Sequence, residues 1–387
     1  MSGVSSRPAS PDRRAILKSA LGMAVLSVAA PMINRNRYQV FAATPRQYSK
    51  RAVELIEGSL VIDMLGVLTL DNSVEGAAAP VSEQTLEPFR TCGITGFMNS
   101  NGVSGPTEFA GALEFLAMWH GYVGRRPELF TLVSRAEDLD RAKAHHKIAV
   151  MMGIQDAEHF RDASDVKYFY QLGLRCSQLT YNSQNRLGSG CTERVDGGVS
   201  DFGAEIIRAM NATGMLIDVS HCGDRTTLDA IELSGQPVAV THSNCRALNE
   251  HPRLKTDEAI RKLAGKGGVM GITGVRNFVR DREPTTVEHI VEHIDHVVRL
   301  VGIEHVGIGS DADLNGYDDM PAPWREAVRA GNKPSYAFRE KFDTDGFDHP
   351  RKMFDLTEAL IRRGYSDANI AAILGGNFRR LARQVWK

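Results

Sequence analysis

From residue 50 onward the chain alternates two periodicities. Short runs of consecutive apolar, β-prone residues occupy 60–63, 93–98, 148–154, 174–180, 215–220, 238–241, 268–272 and 305–309. The segments between them, such as 107–120, 201–213, 225–234 and 285–302, carry apolar residues at three- and four-residue spacing, the period of a helix with one buried face. A strand that is apolar on both faces must be covered on both, so this alternation points to a buried parallel sheet. Eight such units predict an α/β fold of the (β/α)8 type, a TIM barrel. A doubly wound open sheet is the alternative, but no Gly-x-Gly-x-x-Gly follows any early run. Residues 350–385 read as two or three extra C-terminal helices outside the barrel. Residues 44–387 are thus expected to form one barrel domain.

The first 43 residues differ. Pro11-Asp12-Arg13-Arg14-Ala15-Ile16-Leu17-Lys18 resembles a twin-arginine export signal, and a modest apolar stretch from Ser19 to Ile33 follows it. That stretch is too short to anchor in a membrane but suits a signal-peptide core. Phe41-Ala42-Ala43 or Ser27-Val28-Ala29 would supply the cleavage site; a disordered basic terminus is the plainer alternative. Export places the mature protein in the periplasm or outside the cell. No apolar run elsewhere reaches the roughly 20 residues of a membrane span. Hydrophobic residues make up 42% and charged residues 24% of the 387, as in ordinary globular proteins, and the formal net charge of -1 argues against nucleic acid as a partner. Five cysteines with no Cys-x-x-Cys pair are read as reduced and mostly buried.

In such a barrel the chemistry lies at the carboxyl ends of the strands, and polar residues gather there. The fifth run ends in Ser220-His221, the sixth in Thr241-His242-Ser243-Asn244 and the eighth in Ser310-Asp311. The first closes on Asp63, the third on Gln155 with Asp156 and Glu158 beyond, and the fourth on Tyr181-Asn182. Two imidazoles from adjacent strand ends can meet at one zinc ion, and an aspartate from a third strand can bind or orient the attacking water. His289, His293 and His296 are read instead as a solvated helix face, because no Glu follows His289 as in His-Glu-x-x-His.

These residues carry a resemblance. Met210 to His221, Pro237 to Asn244, His251-Pro252-Arg253 with Asp257, Val306 to Asp311 and Gly376-Asn377-Phe378-Arg379 resemble, in order, the motifs of the renal (membrane) dipeptidases. That family consists of two-zinc (β/α)8 barrels that hydrolyse dipeptides. The resemblance implies that His221 and His242 bind zinc, that Arg253 holds the substrate carboxylate and that Asp311 assists proton transfer. Tyr181 and Asn377 are added as substrate contacts. The chain also departs from the family. Where the first strand of the family ends in Asp-Gly-His-Asn-Asp, the chain reads Asp63-Met64-Leu65-Gly66-Val67. Gln155 stands for the bridging glutamate and Tyr181 for a histidine, leaving Gln155 and Asp63 as weak metal candidates. One Zn2+ is therefore expected rather than two, with a dipeptide-like small molecule as substrate.

Two other readings share these residues. One is an exported barrel that binds a small ligand without catalysis; the other is a hydrolase of a different small amide or a lactone. Residues 313–349, with Trp324 and a Pro-rich stretch from Met320 to Pro323, are expected to form a lid or a homodimer contact.

Overall fold

The computed structural model describes residues 32–35, 38–41, 47–68, 81–101 and 108–387. The twin-arginine motif and both cleavage candidates lie wholly or mostly outside these residues. The chain divides into two compact units, Met1–Gln47 and Tyr48–Lys387. In the first, Met32–Arg35 pairs antiparallel with Tyr38–Phe41.

The second unit is the expected barrel. Its strands are β1 (Ile62–Gly66), β2 (Gly96–Asn101), β3 (Ile148–Ile154), β4 (Leu174–Gln178), β5 (Leu216–Asp218), β6 (Ala239–Ser243), β7 (Val269–Ile272) and β8 (Val306–Ile308). Neighbours in this order pair in parallel. The ring closes where β1 meets the chain beyond β8: Asp311 N donates to Leu65 O at 2.8 Å and Val67 N to Ala312 O at 3.1 Å. A further short strand, Phe130–Leu132, pairs with the first half of β3.

Every residue of β1, β3, β4, β6 and β7 is buried, as strands flanked by packed side chains inside and helices outside must be. Ile62, Met64, Met98, Met151, Leu216 and Val269 belong to one core cluster, and Phe378, Leu381, Val385 and Trp386 of the last helix join it. The C-terminal helices Lys352–Arg363 and Asn377–Val385 are the predicted outer elements. The helix Asp201–Thr213 begins on Ser200, whose side chain accepts from Gly203 N, and stops at Gly214, which adopts φ 92°; both are ordinary helix ends.

Two expectations are corrected here. His293 is buried, accepting from Cys245 N at 3.1 Å and donating to Val279 O at 2.9 Å. His289 caps its own helix and His296 pairs with Asp257 at 2.7 Å, so the three are structural rather than a solvated face. Asn377 donates to Ile303 O at 2.7 Å and Val306 O at 2.8 Å. It thus ties the last helix to the amino end of β8, the end of the barrel away from the site, and is not a substrate contact.

Candidate active site

The site is built on a brace between β5 and β6. Asp218 accepts four hydrogen bonds: from Ser220 N (3.0 Å), Ser220 Oγ (2.6 Å), Thr241 N (3.0 Å) and Thr241 Oγ1 (2.7 Å). A carboxylate that only accepts locks both strand ends. Close strand approach is part of the brace, because a Cβ on Gly271 or Gly309 would come within 2.0 or 1.9 Å of Thr241 O.

His221 and His242, both buried, follow from that brace, and their Nε2 atoms lie 2.9 Å apart. The partner of each Nδ1 fixes its tautomer. His221 Nδ1 sits 2.7 Å from Asn182 Oδ1, an oxygen that can only accept, so this nitrogen carries a proton. His242 Nδ1 sits 2.8 Å from Thr241 Oγ1. That hydroxyl has given its single proton to Asp218, so it accepts from His242 as well. Burial, and after it the nearby Arg253 cation, holds both rings well below the usual histidine pKa, and both are neutral. Two Nε2 lone pairs therefore face each other across 2.9 Å.

Asp311 stands beside them, Oδ1 4.0 Å from His242 Nε2, with its side chain 16% exposed. It adopts φ 55°, a left-handed conformation that aspartate tolerates better than most residues. Burial raises its carboxyl to about 7, against the opposing pull of Arg253. The Tyr181 ring stacks on His221, centroids 4.1 Å apart at 20°, while part of the residue stays exposed at the mouth. His221, Asp311, Tyr181 and Gln155 open onto one cavity of ≈ 230 Å³, together with Val67 and an aromatic wall.

Two further expectations change. Arg253 is fully buried under the histidines, donating to Ser220 O at 2.5 Å and His242 O at 2.9 Å. Its two terminal nitrogens are thus taken by backbone, its Nε has no partner, and it does not line the cavity; it supports the strand ends and adds to the effect of burial on the rings. Asp63 is also buried, accepting from Ser310 N at 2.7 Å and Ser310 Oγ at 2.5 Å. It helps close the barrel and is not free as a metal ligand. Asp156 is held by Asn185 Nδ2 at 2.8 Å and Glu158 N at 3.1 Å. Neither Asp156 nor Glu158 lines the cavity. The five cysteines are buried, and none is in a disulfide among the described residues. Asn182 had no assigned role from sequence, where it was simply the residue after Tyr181, yet it positions His221.

A closed parallel barrel with two histidines and an aspartate at the carboxyl ends of β5, β6 and β8 is of the type that metallopeptidase barrels share. The family model of the membrane dipeptidases, peptidase family M19, matches residues 51–330, and the chain belongs to that family. Dipeptidase tcpJ of Claviceps purpurea is 28% identical over 258 residues, 66% of this chain and 55% of the relative. The chain thus spans about half the length of that curated relative. An amidohydrolase from Pseudomonas aeruginosa superimposes with a TM-score of 0.75 at 29% identity, covering 87% of this chain and 99% of that one. The probable dipeptidase PvdM from the same organism gives 0.72 at 21% identity, covering 87% and 98%, a likeness of fold.

The family implies a metal centre, and the residues present test it. Among the described residues no group of three His, Cys, Asp or Glu side chains is placed to hold an ion. The end of β1 offers buried Met64 and Leu65 and the cavity residue Val67, and β3 an uncharged Gln155. A two-ion centre does not fit. A single ion would find two imidazole donors, His221 and His242, of the kind zinc takes, with Asp311 beside them as the third group.

Proposed function

We propose that this protein hydrolyses the amide bond of a small dipeptide-like substrate at the barrel mouth, using one zinc ion seated on His221 and His242. The observation that carries this reading is the 2.9 Å approach of the two Nε2 atoms, with each Nδ1 beside an oxygen that can accept its proton. Each Nδ1 proton is committed to an acceptor, so the two Nε2 lone pairs repel unless a cation lies between them, and the low basicity of both rings disfavours a proton there. A zinc ion would supply Lewis-acid polarisation of the scissile carbonyl.

The chain's own groups perform the rest. Asp311, poised near neutrality by burial, takes a proton from the attacking water and returns it to the leaving nitrogen, the task for which a pKa near the working pH is best. Gln155 and the Tyr181 hydroxyl supply neutral hydrogen bonds to orient the amide. Asn182 and Thr241 hold the rings in one tautomer, as partners behind metal-binding histidines do. The uncharged β1 end and Gln155 support one ion over two. Export by the twin-arginine route is proposed on the Pro11 to Lys18 motif alone.

The test is metal content of the purified chain beside a His221→Ala/His242→Ala variant. About one zinc per chain, lost in the variant, is the expected result. Two ions would refute the single seat. No ion after zinc is supplied would refute the metallohydrolase and favour the ligand-binding barrel, which the shortage of acidic and histidine side chains around the pair also supports.

A further inference from the structure

We infer that the connection between β8 and the C-terminal helices makes this cavity selective for substrates bearing an aromatic or large aliphatic side chain. The polar groups of the cavity come from strand ends of the barrel, apart from Asn332 and the hydroxyls of Tyr317 and Tyr336, whereas its other face is a ladder of rings. Trp324 stacks on Tyr317 at 5.4 Å and 28°, Tyr317 meets Phe342 at 6.4 Å, and Phe342 meets Phe338 at 4.8 Å. Phe338 then meets Tyr336 at 5.0 Å, and Tyr336 meets Phe278 at 5.3 Å. All six line the cavity, and five belong to the connection.

The helix Ala322–Ala330 within it buries none of its own residues, yet Trp324 and Val328, one turn apart, both face the cavity. Apolar surface turned inward and left uncovered by protein is what an apolar ligand group covers. A cationic guest would also suit an aromatic cage, but one face each of Trp324, Tyr317 and Phe342 is already covered. Trp324 and Tyr317 cover each other, and the Arg329 guanidinium lies 4.3 Å over Phe342. The remaining ring surface and the aliphatic Val67, Val275 and Val328 favour an apolar group. No Lys or Arg lines the cavity, and Asp311 is its acidic residue, so an acidic side chain finds no partner and a repelling neighbour.

This rests on the hydrolase reading for its kinetic arm only. The substrates are Phe-Gly, Leu-Gly, Gly-Gly, Asp-Gly and Lys-Gly, used with the zinc-loaded full chain. Their CH2–NH isosteres, which cannot be hydrolysed, are titrated while tryptophan fluorescence is read. Of the three tryptophans, Trp119 and Trp386 are buried elsewhere, so a change on binding reports Trp324. The Phe and Leu compounds are expected to exceed Gly, Asp and Lys by about tenfold or more in kcat/KM and in affinity, a ratio ordinary for a filled apolar pocket. Trp324→Ala and Val328→Asp should each bring the Phe-to-Gly ratio towards one. Equal binding of the Phe and Gly isosteres, or preference for Lys or Asp, would overturn the inference. Selective binding of the Phe isostere with no member cleaved would sink the hydrolase reading and leave the apolar wall standing.

Discussion

Replacing Asn182 with alanine removes three contacts around His221. Its Oδ1 accepts from His221 Nδ1 at 2.7 Å and from Cys191 Sγ at 3.5 Å, and its Nδ2 donates to Asn332 Oδ1 at 2.9 Å. The first decides function. Without it the buried Nδ1–H of His221 loses its acceptor, which costs about 1–3 kcal/mol, and nothing holds the ring with its Nε2 lone pair towards His242. Loss of such a partner lowers metal affinity by about 10–100-fold, or about 1.4–2.8 kcal/mol. The two estimates agree because they describe the same bond. Zinc affinity measured by competition with a chelating indicator should fall by that factor. Asn182→Asp restores an acceptor and should recover most of the affinity, although it loses the donor to Asn332. Asn332→Ala, which breaks the bond to the connection, should leave affinity within about threefold. If the alanine variant binds zinc like the wild type, or the alanine and aspartate variants are equally impaired, Asn182 only packs and the tautomer argument fails.

Two other outcomes follow from the same structure. Asp311→Asn should lower kcat/KM by roughly 10²–10⁴-fold, the usual contribution of a positioned proton-transfer group. Its thermal stability should hold, since asparagine also tolerates positive φ; activity within tenfold of wild type would remove Asp311 from the mechanism. His159 is fully buried, with Nε2 unpartnered, and burial lowers its pKa to about 4 from 6.5. The unfolded chain therefore takes up the proton first as pH falls, so stability is intact above about 6.5 and is lost towards 4. At pH 5 the loss is about 2 kcal/mol by that linkage. His159→Phe, among Phe160 and Phe169, should thus gain that much on the wild type between pH 7.5 and 5 in denaturant unfolding. Parallel pH curves for the two proteins would contradict the assignment.

The barrel was legible because most of its strands, such as Ile148–Ile154 and Val269–Ile272, are apolar runs, a direct consequence of burial on both faces. Phe130–Leu132 escaped because three residues carry no usable period. The helix Ala322–Ala330 escaped for another reason: it starts beside Pro321 and Pro323 and packs no residue into the core, so the segment reads as loop. His221, His242 and Asp311 were legible from their places at strand ends. Arg253, Asn377 and Asp63 were misassigned because residue type tells what a side chain can bond, not what already bonds it. Backbone carbonyls from other strands occupy the first two, and Ser310 occupies the third. The aromatic wall was hidden for the same reason, since its rings come from positions between 278 and 342 and meet only in the folded chain.

The electrostatics of the site are the reason for proposing one ion rather than two. Two neutral imidazoles bring no charge to offset a dication, and Arg253 adds a further positive charge behind them. The acid that faces the cavity is Asp311, and its raised pKa shows how little solvation burial leaves it. A second dication would meet Gln155 and Val67 in the cavity wall, where no charge is available to receive it. With the proposed single ion the balance would remain positive, and a substrate carboxylate would supply negative charge even though Arg253 is bound to backbone carbonyls. The ion and the substrate carboxylate are then linked, each favouring the other's binding by the same factor. An apolar wall suits that arrangement: it takes the side chain, which has no charge to contribute, and leaves the carboxylate to face the cation.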